Sequence, residues 1–321
     1  MTVDILVLGG AHIDRRGRID DETAPGASNP GRWLEEPGGG GFNAARALAR
    51  LGLSVAMISP RGGDGLGEQV AAAAQAAGVD DRPFVFLDRS TPSYTAILER
   101  DGNLVIGLAD MDLYRMFSPR RLRIRAVRGA FSAAKLILVD ANLPAETLEA
   151  IAVLAASLSK PLLGIGISPA KVVRYTGCLG KLDMLFLNGA EAAVLAGSRP
   201  DDPTEWPQLL RAKGLRGGVV TNGPGPVIAF DDSGDYALTP PALEKLADVT
   251  GAGDSLCAGV TSQRVHSAAL PLALRHGVAL AGLTLLSDKA TAEDLTPDRL
   301  AARLALVGEP RALSSQPSAL L

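Results

Sequence analysis

The sequence predicts an α/β fold: a doubly wound, mostly parallel sheet flanked by helices, with a small β-strand lid. Three observations point there. Short apolar runs of strand length alternate with helix-length segments rich in Ala and Leu along the 321 residues, as in chains built from β-α-β units. Apolar residues make up 47 % of the chain and aromatics 4 %, which suits an aliphatic core between helices and a parallel sheet. Two segments, 15–37 and 84–112, break the alternation and read as lid.

The predicted buried strands are Val3–Leu8, Val55–Ser59, Leu136–Val139, Leu162–Ile167, Met184–Leu187 and Gly218–Thr221. The first run ends in Gly9-Gly10 with no basic leader or cleavage pattern, so it reads as a strand, not a signal peptide. No run reaches the ~18–20 apolar residues of a membrane span. Residues 15–37 are polar, with Gly, Pro and Asp scattered through them. Phe84–Leu87, Ser93–Glu99 and Leu104–Leu108 read as extended, with a hairpin turn at Asp101-Gly102-Asn103. The tail after Gly308 reads as weakly ordered, and residues 1–321 as one domain.

Net charge is −3, so no basic excess favours a polynucleotide partner. Cys178 and Cys257 stand far apart with no metal-ligand spacing. A disulfide framework or zinc site has no support, and a reduced, cytoplasmic setting fits.

The most informative stretch is Asp248-Val249-Thr250-Gly251-Ala252-Gly253-Asp254-Ser255, followed by a helix-like run. Small residues at 251–253 let backbone approach a ligand. A helix starting there points unpaired N–H groups and the positive end of its dipole at an anion. Asp254 falls in the first turn, beside that anion hole. A weak base that also orients a hydroxyl suffices for phosphoryl transfer, whose transition state is loose.

A second glycine-rich loop, Pro37-Gly38-Gly39-Gly40-Gly41-Phe42-Asn43, feeds a helix with apolar spacing at Ala44, Ala47, Leu48 and Leu51 and a cap at Gly52. The amide of Asn43 at its mouth has both donors and an acceptor for a sugar hydroxyl. Gly39, Gly41 and Ala44 also satisfy the G-x-G-x-x-A dinucleotide pattern. That pattern needs a preceding strand and an acid about 20 residues on. Here RWLEEP precedes it and no carboxylate closes the next strand. No G-x-x-x-x-G-K-[ST] run occurs, which disfavours a P-loop kinase.

The run DVTGAGDSLCAG closely resembles the second signature of the ribokinase-like (PfkB) kinases, and the GG-x-G-x-N run resembles the first. The resemblance implies an ATP-dependent kinase acting on a hydroxyl of a small sugar or nucleoside. It implies Asp254 as catalytic base and Gly251, Ala252 and Gly253 as anion hole. Gly39, Gly40 and Asn43 become substrate contacts. Asp248 and Thr250 match positions that bind a monovalent cation, usually K⁺. Asp14, at the end of the first strand region, matches an acid that holds two sugar hydroxyls; His12 stands where relatives carry Asn.

Asn188 and Glu191 resemble the family's Asn-x-x-Glu pair, which orients Mg²⁺ through water and the ATP phosphates. Thr221, Gly223 and Gly225 resemble the loop lining the nucleotide. Gly63-Asp64-Gly65-Leu66-Gly67 matches a stretch with a structural role, and Ile165 stands where relatives carry an acid.

Ser28-Asn29-Pro30-Gly31, Ala109-Asp110-Met111-Asp112 and Val139-Asp140-Ala141-Asn142 resemble the pseudouridine kinases of this family, though relatives end the middle run in Asn. Asn29, Asp112 and Asn142 therefore join the substrate-binding candidates, with pseudouridine as the expected acceptor. Ribose, another sugar, a sugar acid or another nucleoside remain open, as does a non-catalytic binding protein. Relatives dimerise through such lids, so a homodimer is expected.

Overall fold

The computed structural model describes residues 2–243, 247, 249–287 and 289–313. Among them a ten-stranded sheet runs in the spatial order Arg311–Leu313, Gly234–Leu238, Val227–Asp231, Gly218–Thr221, Met184–Asn188, Leu162–Ile165, Ala134–Asp140, Val3–Leu8, Val55–Ile58, Asp80–Asp81. From Gly218–Thr221 to Asp80–Asp81 every pairing is parallel. The last three strands at the other edge are antiparallel.

Alternation along each strand sends side chains to two cores. Ile5, Val7, Leu136 and Leu138 join helices Gly40–Arg50, Ala252–Arg264 and Leu270–Leu285 on one face. Leu6, Leu8, Ile137 and Val139 join helices Arg125–Ala133, Ala145–Ser157 and Gly189–Ala196 on the other. Both faces are covered, which is why the strands read as near-continuous apolar runs. No helix among the described residues is long and apolar enough to cross a membrane.

All six predicted strands are present within one or two residues. Four differences stand out. The segment RWLEEP before the glycine loop, which reads as no strand, lies in strand Gly31–Gly38; that strand pairs antiparallel with His12–Ile19 and is no part of a β-α-β unit, so the dinucleotide pattern still lacks its setting. Strands Val227–Asp231 and Gly234–Leu238, inside the edge strand Arg311–Leu313, are additional to the predicted set and form a hairpin across Asp232-Ser233. The tail after Gly308 is not wholly irregular: Arg311–Leu313 pairs with Asp235–Ala237. Phe84–Phe86 is not lid; it pairs in parallel with Pro60–Gly62.

The lid is a four-stranded sheet in the order Gly31–Gly38, His12–Ile19, Ser93–Leu98, Leu104–Asp110. Asp14, Tyr94, Ala109 and Glu36 align across it; the first three line the cleft, and Glu36 is buried against Arg16. Its opposite face carries Trp33, Gly17, Ile97 and Ile106 in one row. Strand Gly31–Gly38 passes into helix Gly40–Arg50 through the single residue Gly39.

Candidate active site

A cleft of about 650 Å³ lies between the lid and the carboxyl ends of the parallel strands, the usual ligand position in open α/β sheets. Its floor is the start of helix Ala252–Arg264. Gly251 caps that helix at φ 76°, a conformation favouring glycine, and a Cβ there would collide with the Ala290 carbonyl. Gly253 faces open space, so backbone N–H groups of the first turn are accessible to a ligand.

Asp254 sits on this turn and lines the cleft. Asn43 Nδ2 donates to Asp254 Oδ2 at 2.8 Å. The Asn43 Oδ1 accepts from Arg46 Nη2 at 2.6 Å, and Arg46 also donates to the Pro37 carbonyl at 2.8 Å. Arg46 is buried over the Phe42 ring, and burial lowers its pKa to about 10. Burial pushes the Asp254 carboxyl up to about 6, against the Asn43 hydrogen bond, which pulls it down. Asn43 therefore supports a carboxylate as well as lining the cleft, a role the motif alone did not disclose.

The glycine loop is held by a buried carboxylate. Asp140 is 0 % exposed. Its Oδ2 accepts from Gly10 N at 2.8 Å and Gly41 N at 2.9 Å, and its Oδ1 from Asn142 N at 2.8 Å. A Cβ at Gly9, Gly10 or Gly41 would come within 3.0 Å of Asp140 or Asn142 side-chain atoms. Gly39 has φ 108° with the Gly10 carbonyl against it. A Cβ at Gly40 would stand 3.0 Å from Asp254 Oδ1.

At the lid end, His12 Nδ1 meets the Tyr114 hydroxyl at 2.8 Å and Nε2 lies 3.3 Å from Asp14 Oδ1. Both ring nitrogens are engaged, so His12 orients its neighbours. Lys171 Nζ donates to Asn142 Oδ1 at 2.7 Å, and burial lowers its pKa. The Asn142 Nδ2 has no partner among the described residues. His12, Asp14, Tyr94, Met111, Asn142 and Lys171 line this end.

At the other end, Asn188 and Glu191 form a reciprocal cap on helix Gly189–Ala196. Asn188 N and Nδ2 donate to Glu191 Oε2 and Oε1, each at 2.9 Å. The capping reading and the ligand-facing reading coexist, because Glu191 is buried yet lines the cleft. Burial raises its carboxyl to about 7, and Asp254 nearby adds to the rise. Thr221 and Thr250 line the same end.

Some candidates fall elsewhere. Asn29 is not at the cleft: its amide closes the lid turn, bonded to Ala24 and Ala27 backbone at 2.8–3.0 Å. Asp112 points to solvent beside Arg115, 3.5 Å away. Gly223 and Gly225 form the turn after Gly218–Thr221, beyond the cleft lining. Asp248 lies outside the described residues. Asp64 caps helix Gly65–Ala77 and bonds Thr91, a structural role as expected.

Asp140, Arg46, Tyr114 and Lys171 were not anticipated. Only Asp140 left a trace, as a carboxylate closing a central strand two residues before Asn142.

A sequence model of the pfkB family carbohydrate kinases matches residues 3–297. The pseudouridine kinase of Escherichia coli (strain K12) is 28 % identical over 297 residues, covering 91 % of this chain and 93 % of that protein. A carbohydrate kinase from Agrobacterium tumefaciens is 55 % identical and superimposes with a TM-score of 0.88, over 97 % of this chain and 100 % of that one. The Arabidopsis thaliana ribokinase complexed with ribose and ATP shares the fold, with a TM-score of 0.84 at 19 % identity, over 95 % of this chain and 99 % of that one. The fold is thus ribokinase-like. With this match along most of the chain, the protein belongs to the pfkB family and is an ATP-dependent kinase of a small sugar or nucleoside.

Proposed function

We propose that this kinase transfers the γ-phosphoryl group of ATP to the 5′-hydroxyl of the ribosyl group of pseudouridine. The observation that carries the reading is the polar set at the lid end of the cleft. Asp14 stands ready for ribosyl hydroxyls, and the Lys171 ammonium, held by Asn142 Oδ1, offers a donor to the amide edges of a base. The likeness to the E. coli pseudouridine kinase along nearly the whole of both chains supports it.

In this reading Asp254 accepts the hydroxyl proton as the acceptor oxygen bonds to the γ-phosphorus and the bond to the β,γ-bridging oxygen breaks, leaving ADP. The N–H groups of Gly251, Ala252 and Gly253 meet the charge on the transferring group. Gly39 and Gly40 bring backbone close to the acceptor, and Thr221 borders the nucleotide.

The residues fit Mg²⁺, since one buried carboxylate and one amide, Glu191 and Asn188, face the cleft and the nucleotide supplies oxygens. When bound, the ion would neutralise phosphate charge. Asp248 and Thr250 are the proposed K⁺ partners. The outer lid row of Trp33, Ile97 and Ile106, with Leu108 69 % exposed beside it, supports a homodimer through the lid.

The test is turnover with ATP, Mg²⁺ and K⁺ on pseudouridine, uridine, adenosine, ribose and 2-keto-3-deoxygluconate, with the product identified by mass. Pseudouridine should be phosphorylated well above the rest. A different preferred acceptor refutes the substrate and leaves the kinase standing; tight binding without turnover favours a binding protein.

A further inference from the structure

Residues 113–139 contain no Asp or Glu, yet six arginines lie between Arg115 and Arg128. In a chain of net charge −3, this is a strongly local excess. Most of it is unneutralised. Arg120, Arg121, Arg123, Arg125 and Arg128 have no ion-pair partner among the described residues. Arg115 has only Asp112, and both are more than 80 % exposed, so the pair is weak.

Three of the six arginines line an open concavity. The short 3₁₀ turns Asp112–Met116 and Pro119–Arg123 border this shallow pocket of about 350 Å³, lined by Arg115, Met116, Ser118, Arg120, Arg121 and Ile124. Arg121 is preset. Its guanidinium lies 4.6 Å from both the Phe84 and Phe86 ring centres, and its Nε donates to the Met116 carbonyl at 2.8 Å. Neither of its Nη atoms has a hydrogen-bond partner among the described residues. A held guanidinium presents planar donors at little entropic cost, the geometry suited to phosphate oxygens. The Ser118 hydroxyl adds a donor, while Met116 and Ile124 give apolar wall for a carbon skeleton.

We propose that this pocket is a second ligand site, for a small phosphate monoester, adjoining the acceptor end of the main cleft. Its size favours a small ligand over a polymer. The 3₁₀ turn Asp112–Met116 separates the two cavities. Arg115 and Met116 line the outer one, while Met111, just before the turn, lines the main cleft and Tyr114 reaches His12.

The test uses the full-length protein, saturated with Mg²⁺, a non-hydrolysable ATP analogue and pseudouridine, so that both ends of the main cleft are filled. Ribose 5-phosphate and inorganic phosphate are titrated calorimetrically. One saturable site for ribose 5-phosphate is expected, weaker for phosphate. The exposed pair Arg115→Ala/Arg120→Ala should weaken it at least about tenfold, and Arg120→Glu alone should abolish it, with unchanged melting temperatures. No saturable uptake overturns the site, as does uptake that both variants retain. Displacement of ribose 5-phosphate by a twelve-nucleotide RNA at equal phosphate concentration, with a steep salt dependence, overturns the small-ligand assignment in favour of a polyanion surface.

Discussion

Asn43 and Asp254 stand 211 residues apart in sequence and are joined by a hydrogen bond of 2.8 Å between Nδ2 and Oδ2. The first glycine-rich loop thus touches the second. The Arg46 guanidinium holds the far side of the Asn43 amide and fixes which end faces the carboxylate.

Asp254→Asn should lower turnover by about 10²–10⁴-fold, the usual worth of a positioned general base, with ATP and acceptor affinity retained. It should also stabilise the protein at neutral pH. A folded pKa raised to about 6 means that the ionised form is disfavoured in the folded state. Stability tied to this group is full below the unfolded carboxylate range near 4 and lost as pH rises through about 6. Melting curves should show the variant ahead by a few degrees at pH 7.5 and level with the parent near pH 4.

Turnover of the parent should rise with pH as Asp254 ionises around 6. Asn43→Asp places a second acid against it, which raises the coupled pair's upper pKa. The acid limb of the rate profile should move at least about one unit to alkaline pH. A limb that stays in place removes Asp254 from the proton transfer.

Glu191→Gln keeps an acceptor for the Asn188 N–H and removes the charge. The melting temperature should change little, while the Mg²⁺ concentration for half-maximal turnover should rise several-fold. An unchanged Mg²⁺ requirement with lost stability would leave Glu191 a helix cap and no more.

Asp140→Asn leaves one side-chain oxygen for three backbone N–H donors. A loss of about 2–4 kcal/mol is expected from urea unfolding. The variant should also bind acceptor poorly, because Gly10 and Gly41 are no longer held.

How much of this was legible depends on how local each signal is. The parallel strands were readable because burial on both faces makes each an unbroken apolar run, Val3–Leu8 being the clearest. The loops around Gly39–Asn43 and Gly251–Asp254 were readable because the residues that line the cleft there are contiguous or nearly so. Arg46 gave no such signal: it sits on a helix, as Arg50 does, and only the tertiary fold buries one of them. Lys171 meets Asn142 across 29 residues, from a four-residue helix that no periodicity announces. Asn29 was misplaced for the opposite reason. A turn-forming Asn and a ligand-binding Asn look alike in sequence, and here the turn took the amide.

The one-residue passage at Gly39 has a bearing on how chain length can vary in this molecule. Strand Gly31–Gly38 ends and helix Gly40–Arg50 begins with no slack between them. Added residues in the 20–30 turn at the far end of the lid would be absorbed in solvent. A single added residue at Gly39 would instead rotate Asn43 off its helical face and part it from Asp254. The lid and the Asp254 carboxylate are in this sense set to one common gauge, and insertions will be borne at one end of the hairpin and refused at the other.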